Sequence, residues 1–288
     1  MSARDLSTGA VNTWCPGCGN FAILNALKSV LGGLPASGVP LERVVLVSGI
    51  GCHAKIADYL NVHSFYAIHG RGVAVAEGLK LANPGLTVIS CAGDGDAYGE
   101  GIEHLIFAAK RNLDITVLVH DNRVYGLTTG QCTPTSPLGF RGRSTPGGSR
   151  EDPLNPLALM LAAGATFVAR GYSNRMDLLK ETVAQAVRHR GFSLVEVLQV
   201  CVTFYNLYAD YNKRVYELEG HDSADFAAAT ARAQEWNYGA EGRIALGVFY
   251  RAERPSFEQG FVGPRPASRR AEKVRSLLAG RGPLAGQK

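Results

Sequence analysis

Two cysteines separated by Pro16-Gly17, in the stretch TWCPGCGN, are the first residues of this chain equipped to do chemistry. Six cysteines in 288 residues are too few for a disulfide scaffold. A close pair then points to metal binding or thiol redox chemistry. Cys15 and Cys18 precede an apolar helical run. Cys52 in SGIGCHAK and Cys201 in VLQVCVTFYN each follow a segment that reads as a strand. Strand ends on one edge of a sheet converge, so the four thiols can meet. Four thiolates hold Zn²⁺ or a 4Fe–4S cluster. One close pair with two remote ligands suits a cluster at the edge of a catalytic sheet better than a zinc module, and zinc and unrelated thiols stay as alternatives. Cys91, inside the apolar TVISCAG, reads as a buried structural thiol. Cys132 falls in a long loop with no evident partner.

A second constellation is Gly93-Asp94-Gly95-Asp96, followed one helix and one strand later by Asp121-Asn122. The glycines let backbone approach a phosphate, and the following helix start offers free N–H groups. Asp94 inside that turn would repel a bare diphosphate, and a divalent cation between them removes the conflict. Mg²⁺ takes hard oxygen donors in octahedral geometry. The Asp94 carboxylate, the Asn122 side-chain oxygen and a nearby backbone carbonyl would supply three. The rivals are a dinucleotide site, using Gly93, Gly95, Gly99 and Asp121, and a purely structural turn. The glycine string alone is weak evidence and explains neither Asp94 in the turn nor Asn122.

The elements that must position these groups alternate. FAILNALKSVLGGL reads as a helix, RVVLVSG as a buried strand and SFYAIHG as a second strand. The helix GVAVAEGLKLAN, the strand LTVISCAGDGD, the helix EGIEHLIFAAKRN and the strand ITVLVHDN follow. A stretch rich in Gly, Pro, Ser and Thr runs from Arg123 to about Asn155, and a loop of that length is usually functional or disordered. PLALMLAAG, ATFVARG, RMDLLKETVAQAVRH and FSLVEVL then read as helix, strand, helix, strand. This alternation predicts an α/β fold, a parallel sheet with helices on both faces. In such sheets ligands bind at the carboxyl ends of the strands, where both constellations fall. From about Tyr211 the pattern weakens. Residues 1–210 are expected to form the cofactor-binding domain and residues 211–288 a C-terminal arm with a basic tail.

Composition excludes some classes. No apolar run is long enough to cross a bilayer, and the first residues lack the apolar stretch of a secretory signal; a cytoplasmic location is the expectation. The formal net charge is +5, with the excess largely in RPASRRAEKVR. A solvated tail is favoured there over nucleic-acid binding, and an acidic protein partner would also suit it.

Taken in order, TWCPGCGN, SGIGCHAK, HGRG, LANPGLTVISCAGDGD, HDNRVYGLTTGQ and VLQVCVTFYN resemble the β subunit of 2-oxoacid:ferredoxin oxidoreductases, of the 2-oxoglutarate type. The likeness covers roughly residues 10 to 255, including GRIALGVFY. It implies a thiamine diphosphate-binding fold, with thiamine diphosphate, Mg²⁺ and one 4Fe–4S cluster. The implied cluster ligands are Cys15, Cys18, Cys52 and Cys201. The implied Mg²⁺ ligands are Asp94, Asn122 and the main-chain carbonyl of Val124. Cofactor contacts fall on Ile50, Gly51, Cys52, His53, Gly95, Asp96, Gly126 and Leu127. Lys55 matches a substrate-facing position, and His69 and Arg71 are expected in the same pocket.

The implied reaction is oxidative decarboxylation of a 2-oxoacid, 2-oxoglutarate before pyruvate, to an acyl-coenzyme A, with electrons passing to ferredoxin. A non-redox thiamine diphosphate lyase or synthase subunit with zinc or free thiols is the alternative. The chain departs from its relatives at Asp121, where the family often has asparagine, at Thr129, where Lys or Gly is frequent, and at Cys132, where Ser or Ala is common. Thiamine enzymes need a glutamate at the aminopyrimidine. Glu77, Glu100 and Glu103 lie on predicted helices, and the family places this glutamate on a partner α subunit. The chain alone is therefore expected to be inactive.

Overall fold

The structure, a computed structural model, describes residues 5–239, 241–261, 271–272 and 274–276. The basic tail lies largely outside them. In chain order the elements are α1 (Asn20–Gly33), β1 (Val44–Ser48), α2 (Ile56–Tyr59), β2 (His63–Tyr66), α3 (Gly72–Ala82) and β3 (Thr87–Gly93). A π-helical turn (Gly95–Glu100), α4 (Ile102–Arg111), β4 (Thr116–Asp121) and a short hairpin, β5 (Val124–Tyr125) and β6 (Gln131–Cys132), come next. The chain continues with α5 (Pro156–Ala162), β7 (Phe167–Tyr172), α6 (Met176–Arg188), β8 (Ser193–Leu198), α7 (Tyr208–Arg214), β9 (Val215–Glu217), α8 (Phe226–Gln234) and β10 (Ile244–Arg251).

Eight strands form one sheet in the order β2-β1-β3-β4-β8-β7-β10-β9. Every neighbouring pair is parallel except β7–β10. Side chains alternate across it. Leu46, Ile89, Leu118 and Val195 pack against α1 and α6 through Ile23, Leu27, Leu179 and Val183. Val47, Val88, Val117 and Leu194 pack on the other face, with Val73, Leu105, Leu157 and Ala229 of α3, α4, α5 and α8. A strand covered on both faces can be apolar at every position, and this explains runs such as VVLVS and TVLVH.

Two segments differ from the sequence expectation. SFYAIHG pairs only over β2, an edge strand with all four residues exposed. It stops at Tyr66 because the chain turns toward Gly70, whose φ of 68° a β-branched or bulky residue would resist. The stretch beyond Tyr211, expected as an arm, contributes β10 to the sheet and α8 to the second face. Its Trp236 and Tyr238 are buried with Tyr172, Leu198 and Tyr211. The register of β10 against β7 shifts between Val248 and Tyr250, an irregularity that blurs its period-two pattern.

Candidate active site

The four implied cluster thiols come together beyond the carboxyl end of the sheet. Cys15, Cys18, Cys52 and Cys201 line one cavity of about 250 Å³, with Lys55, Asn122 and Gly126 in the same wall. Close backbone contacts put them there. The Cys18 N–H donates to Cys15 O at 3.0 Å, closing the turn. Gly19 N–H donates to Val200 O at 3.2 Å, and a Cβ on Gly19 would stand 2.8 Å from Val200 N. Only glycine lets the first turn lie so close to the segment carrying Cys201. The Trp14 indole N–H donates to Cys52 O at 2.6 Å, tying in the third thiol. Burial, with the neighbouring thiols adding to it, pushes Cys18 up to about 11. Burial also raises Cys52, against the pull of Lys55. Cations or metal are needed to keep such thiols ionised. Cys91 is fully buried in the apolar core and pushed up to about 12 by burial alone.

Of the diphosphate-type residues, Asn122 lines the same cavity and Asp94 lies behind it, joined to the end of β4 through Thr135. Asp94 is buried and pushed up to about 6 by loss of solvent, partly offset by hydrogen bonds, one of them from the Asn122 backbone. Asn122 Oδ1 accepts from Val124 N–H at 3.0 Å, so its Nδ2 donates to Gln199 Oε1 at 2.9 Å. The Gln199 amide is thereby oriented, and its Nε2 reaches Cys18 Sγ at 3.5 Å. One side chain thus links the two constellations. Gly126 completes the junction: a Cβ there would sit 3.6 Å from Cys52 Sγ and 3.8 Å from Cys201 Sγ.

A third, buried polar group adjoins the cavity through Asn20. His53 Nε2 lies 3.5 Å from Asp96 Oδ2, and Asp96 Oδ1 accepts from Gly70 N–H at 2.7 Å. The His53 and His120 rings are 5.8 Å apart, and His120 Nδ1 meets Asn20 Oδ1 at 2.8 Å. Burial, then His53, holds His120 well below its ordinary value, so it is neutral. A Cβ on Gly49 would fall 1.9 Å from Asp96 Oδ2, and one on Gly95 2.3 Å from the Tyr125 ring.

Two positioning residues carry no signal in the sequence. Thr135 Oγ1 lies 2.8 Å from Asp121 Oδ1 and 3.1 Å from Asp94 Oδ2, holding the two strand-end carboxyls together. Arg123, between Asn122 and Val124, is buried with φ of 63°. It donates from Nε to Thr135 O at 2.6 Å and to the Tyr238 carbonyl, over the rings of Trp236 and Tyr238. No local pattern marks either residue. Their partners lie in the long loop and in the segment after α8.

The structure does not bring every candidate in. Lys55 lines the cavity, but His69 and Arg71 do not. His69 Nδ1 stands 3.8 Å from Glu100 on a half-exposed ledge. Arg71 donates to Glu100 O at 3.0 Å and reaches Glu103 at 3.5 Å. They flank Gly70, whose positive φ turns the chain toward Glu100. Leu127 is at the cavity but half exposed. Glu77 pairs with Arg111 at 3.4 Å and is held up by burial.

The residues present fit a bulky polar occupant. Among the described residues ten buried polar side-chain atoms lack a hydrogen-bond partner, and four of them gather here: Asn20 Nδ2, His53 Nε2, His120 Nε2 and Asp121 Oδ2. Buried polar atoms are normally satisfied. Among the described residues no group of three or more His, Cys, Asp or Glu stands placed to hold a single metal ion. The thiols ring a cavity instead.

A mostly parallel sheet carrying such a site defines a thiamine pyrophosphate enzyme fold. Residues 49–197 match the C-terminal TPP-binding domain of thiamine pyrophosphate enzymes, and residues 201–263 match the C-terminal region of the pyruvate ferredoxin oxidoreductase beta subunit. The chain is 45% identical over 267 residues to 2-oxoacid:ferredoxin oxidoreductase 1, subunit beta, of Aeropyrum pernix, covering 87% of this chain and 82% of that one. It is 45% identical to the 2-oxoglutarate oxidoreductase subunit KorB of Mycobacterium tuberculosis, over 71% of this chain and 54% of that one. A solved 2-oxoglutarate:ferredoxin oxidoreductase from Magnetococcus marinus, with 2-oxoglutarate, coenzyme A and succinyl-CoA bound, superposes with a TM-score of 0.85. That structure is 32% identical, over 98% of this chain and 97% of the other. The chain therefore belongs to the beta subunits of the 2-oxoacid:ferredoxin oxidoreductases. Among the described residues no helix is long and apolar enough to cross a membrane.

Proposed function

We propose that this chain, completed by an α subunit, oxidatively decarboxylates a 2-oxoacid, 2-oxoglutarate in first place, to its acyl-coenzyme A and passes the electrons to ferredoxin. One observation carries this reading: Gln199 hydrogen-bonds both to Asn122, at the diphosphate end, and to Cys18, in the thiol ring. A thiamine cofactor and an iron–sulfur cluster held by these residues would stand side by side.

Thiamine diphosphate supplies a carbon nucleophile for a 2-oxo group and an electron sink, and a 4Fe–4S cluster accepts electrons singly. The protein's own contribution is placement. Asp94, Asn122 and the Val124 carbonyl would hold Mg²⁺ as hard oxygen donors. Thr135 keeps Asp94 aimed, and the metal would return the Asp94 carboxyl to its ionised form against burial. Cys15, Cys18, Cys52 and Cys201 would hold the cluster. Lys55, in the cavity wall, would pair with a substrate carboxylate. The glutamate that activates the aminopyrimidine would come from the partner: Glu77, Glu100 and Glu103 are engaged with Arg111, His69 and Arg71. Relatives bearing the names 2-oxoacid and 2-oxoglutarate oxidoreductase support the substrate class.

The test is anaerobic co-purification with the α subunit, followed by iron, sulfide and thiamine diphosphate analysis. The expected result is four irons and one thiamine diphosphate per αβ unit. Cys201→Ser should lose the iron while Asn122→Ala should lose the thiamine diphosphate. Zinc in place of iron, or no dependence of iron on Cys201, would favour a non-redox lyase.

A further inference from the structure

The opposite end of the sheet carries a feature the reaction does not use. Arg251, the last residue of β10, stands in register with Phe167 at the start of β7, and Phe167 with Ser193 at the start of β8. The turn after α6 therefore meets the segment leaving β10. Between them lies a cavity of about 390 Å³ lined by Arg188, His189, Arg190, Arg251, Glu253 and Arg254. Cys201 lies past the far end of β8, at Leu198. At the usual strand rise that is roughly 17 Å or more away.

The cations there are uncompensated. Arg254 donates to the Gly164 carbonyl. Among the described residues the side chains of Arg188, Arg190 and Arg251 have no hydrogen-bond or ion-pair partner. Glu253, the one carboxylate in the lining among the described residues, takes part in no ion pair with them either. Exposed arginines ordinarily avoid converging without an anion, because like charges repel. Arg188 at the last turn of α6 is accounted for by the helix dipole, but Arg190 and Arg251 are not.

The walls are fixed rather than loose. Asn112 Nδ2 donates to the Arg254 and Pro255 carbonyls, each at 3.1 Å, and Ala252 N–H donates to Thr166 O at 2.8 Å. Because Nδ2 of Asn112 is committed, its Oδ1 accepts from the Thr166 hydroxyl at 2.6 Å. Thr166 Oγ1 must then accept from His189 Nε2–H at 2.8 Å. His189 is buried beneath the arginines, and its Nδ1 is the nitrogen left to take a proton.

We propose that this cavity is a second anion site, taking a small di- or triphosphate. Guanidinium forks match phosphate oxygens two at a time, and several forks around one hollow suit adjacent phosphates better than a single carboxylate. The site is separate from the thiol cavity, so its ligand would act on the enzyme without touching the reacting atoms.

The experiment is calorimetric titration of the αβ complex with pyrophosphate and with ATP, in chloride buffer, using wild type, Arg188→Gln/Arg251→Gln and Asn122→Ala. Saturable binding is expected in wild type and in Asn122→Ala. Each lost guanidinium should weaken it by about tenfold, roughly a hundredfold for the pair. An NMR readout goes with it. Burial and then Arg251 disfavour the His189 imidazolium and Asp114 and Glu253 favour it, so a bound polyphosphate should raise its titration midpoint. Binding unchanged in the arginine variant, or lost in Asn122→Ala, would overturn the assignment. So would tighter binding of a poly-glutamate peptide than of pyrophosphate, which would make this an acidic-protein contact instead.

Discussion

Two buried polar clusters in the same sheet are built to opposite standards. Around Arg170, on β7, every group is satisfied: Nε donates to Glu196 Oε2 and NH2 to the Tyr238 hydroxyl, each at 2.8 Å. The Tyr238 hydroxyl meets both Glu196 oxygens, and the guanidinium lies over Trp236, Tyr238 and Phe249. Arg170 is 1% exposed and Glu196 0%. A few residues away, the group of Asn20, His53, His120 and Asp121 leaves an atom unpaired on each member. Burial, then Asp94 and Glu196, holds Asp121 well above the usual carboxylate range. The first cluster is complete within the chain and locks β7, β8 and the segment after α8 together. The second is incomplete without a ligand. Buried polarity by itself therefore marks nothing; the gathering of several unpaired atoms on neighbouring residues separates site from architecture.

The contrast can be broken from either side. The largest effect is expected at Arg170→Met, which strands the Glu196 charge and should cost about 3–5 kcal/mol in denaturant unfolding. Arg170→Met/Glu196→Leu should recover most of it, since an apolar pair of similar volume replaces an ion pair at little net cost. Next to the incomplete cluster, Asn122→Ala should do the reverse. It should weaken thiamine diphosphate–Mg²⁺ binding about a hundredfold, read by tryptophan fluorescence, while the cofactor-free protein loses less than about 1 kcal/mol.

Gly49→Ala tests the placement of Asp96. Its methyl would need the space of Asp96 Oδ2, and overpacking of this kind costs about 1–3 kcal/mol. Cofactor affinity should fall with stability, as Asp96 is displaced from Gly70 and His53. Gln199→Leu is gentler. It removes an N–H directed at Cys18 sulfur, so the cluster's midpoint potential in an EPR-monitored titration should move to more negative values, with iron content unchanged.

The smallest effect concerns pH. Burial, then Arg251, holds the His189 imidazole below its ordinary value of 6.5. The unfolded chain then binds that proton more readily than the folded one. Stability is present above the unfolded value and falls as pH drops through it toward the folded value. His189→Gln should flatten the thermal midpoint between about pH 8 and pH 5.

Much of the site was legible because its parts are local. A cysteine pair around Pro-Gly, a glycine turn holding Asp94, and an Asp-Asn strand end each declare their chemistry within a few residues. What escaped was never local. Thr135 is an ordinary loop threonine until it meets Asp94 and Asp121. Arg123 is one more basic residue until Tyr238 and Trp236 close over it. His69 and Arg71 belong to a recognisable motif, yet Gly70 turns them onto Glu100 and away from Lys55.

By itself, the sequence determined the alternation of strands and helices, and so the edge of the sheet at which the reactive groups would gather. Apolar periodicity and covalent spacing act over a few residues, and a parallel sheet puts all its carboxyl ends on one side. Only tertiary structure decided which of those ends touch. The meeting of Cys201 with Cys15 depends on a glycine allowing two backbones to approach, and the amide of Gln199 finds its two partners only after distant segments have packed.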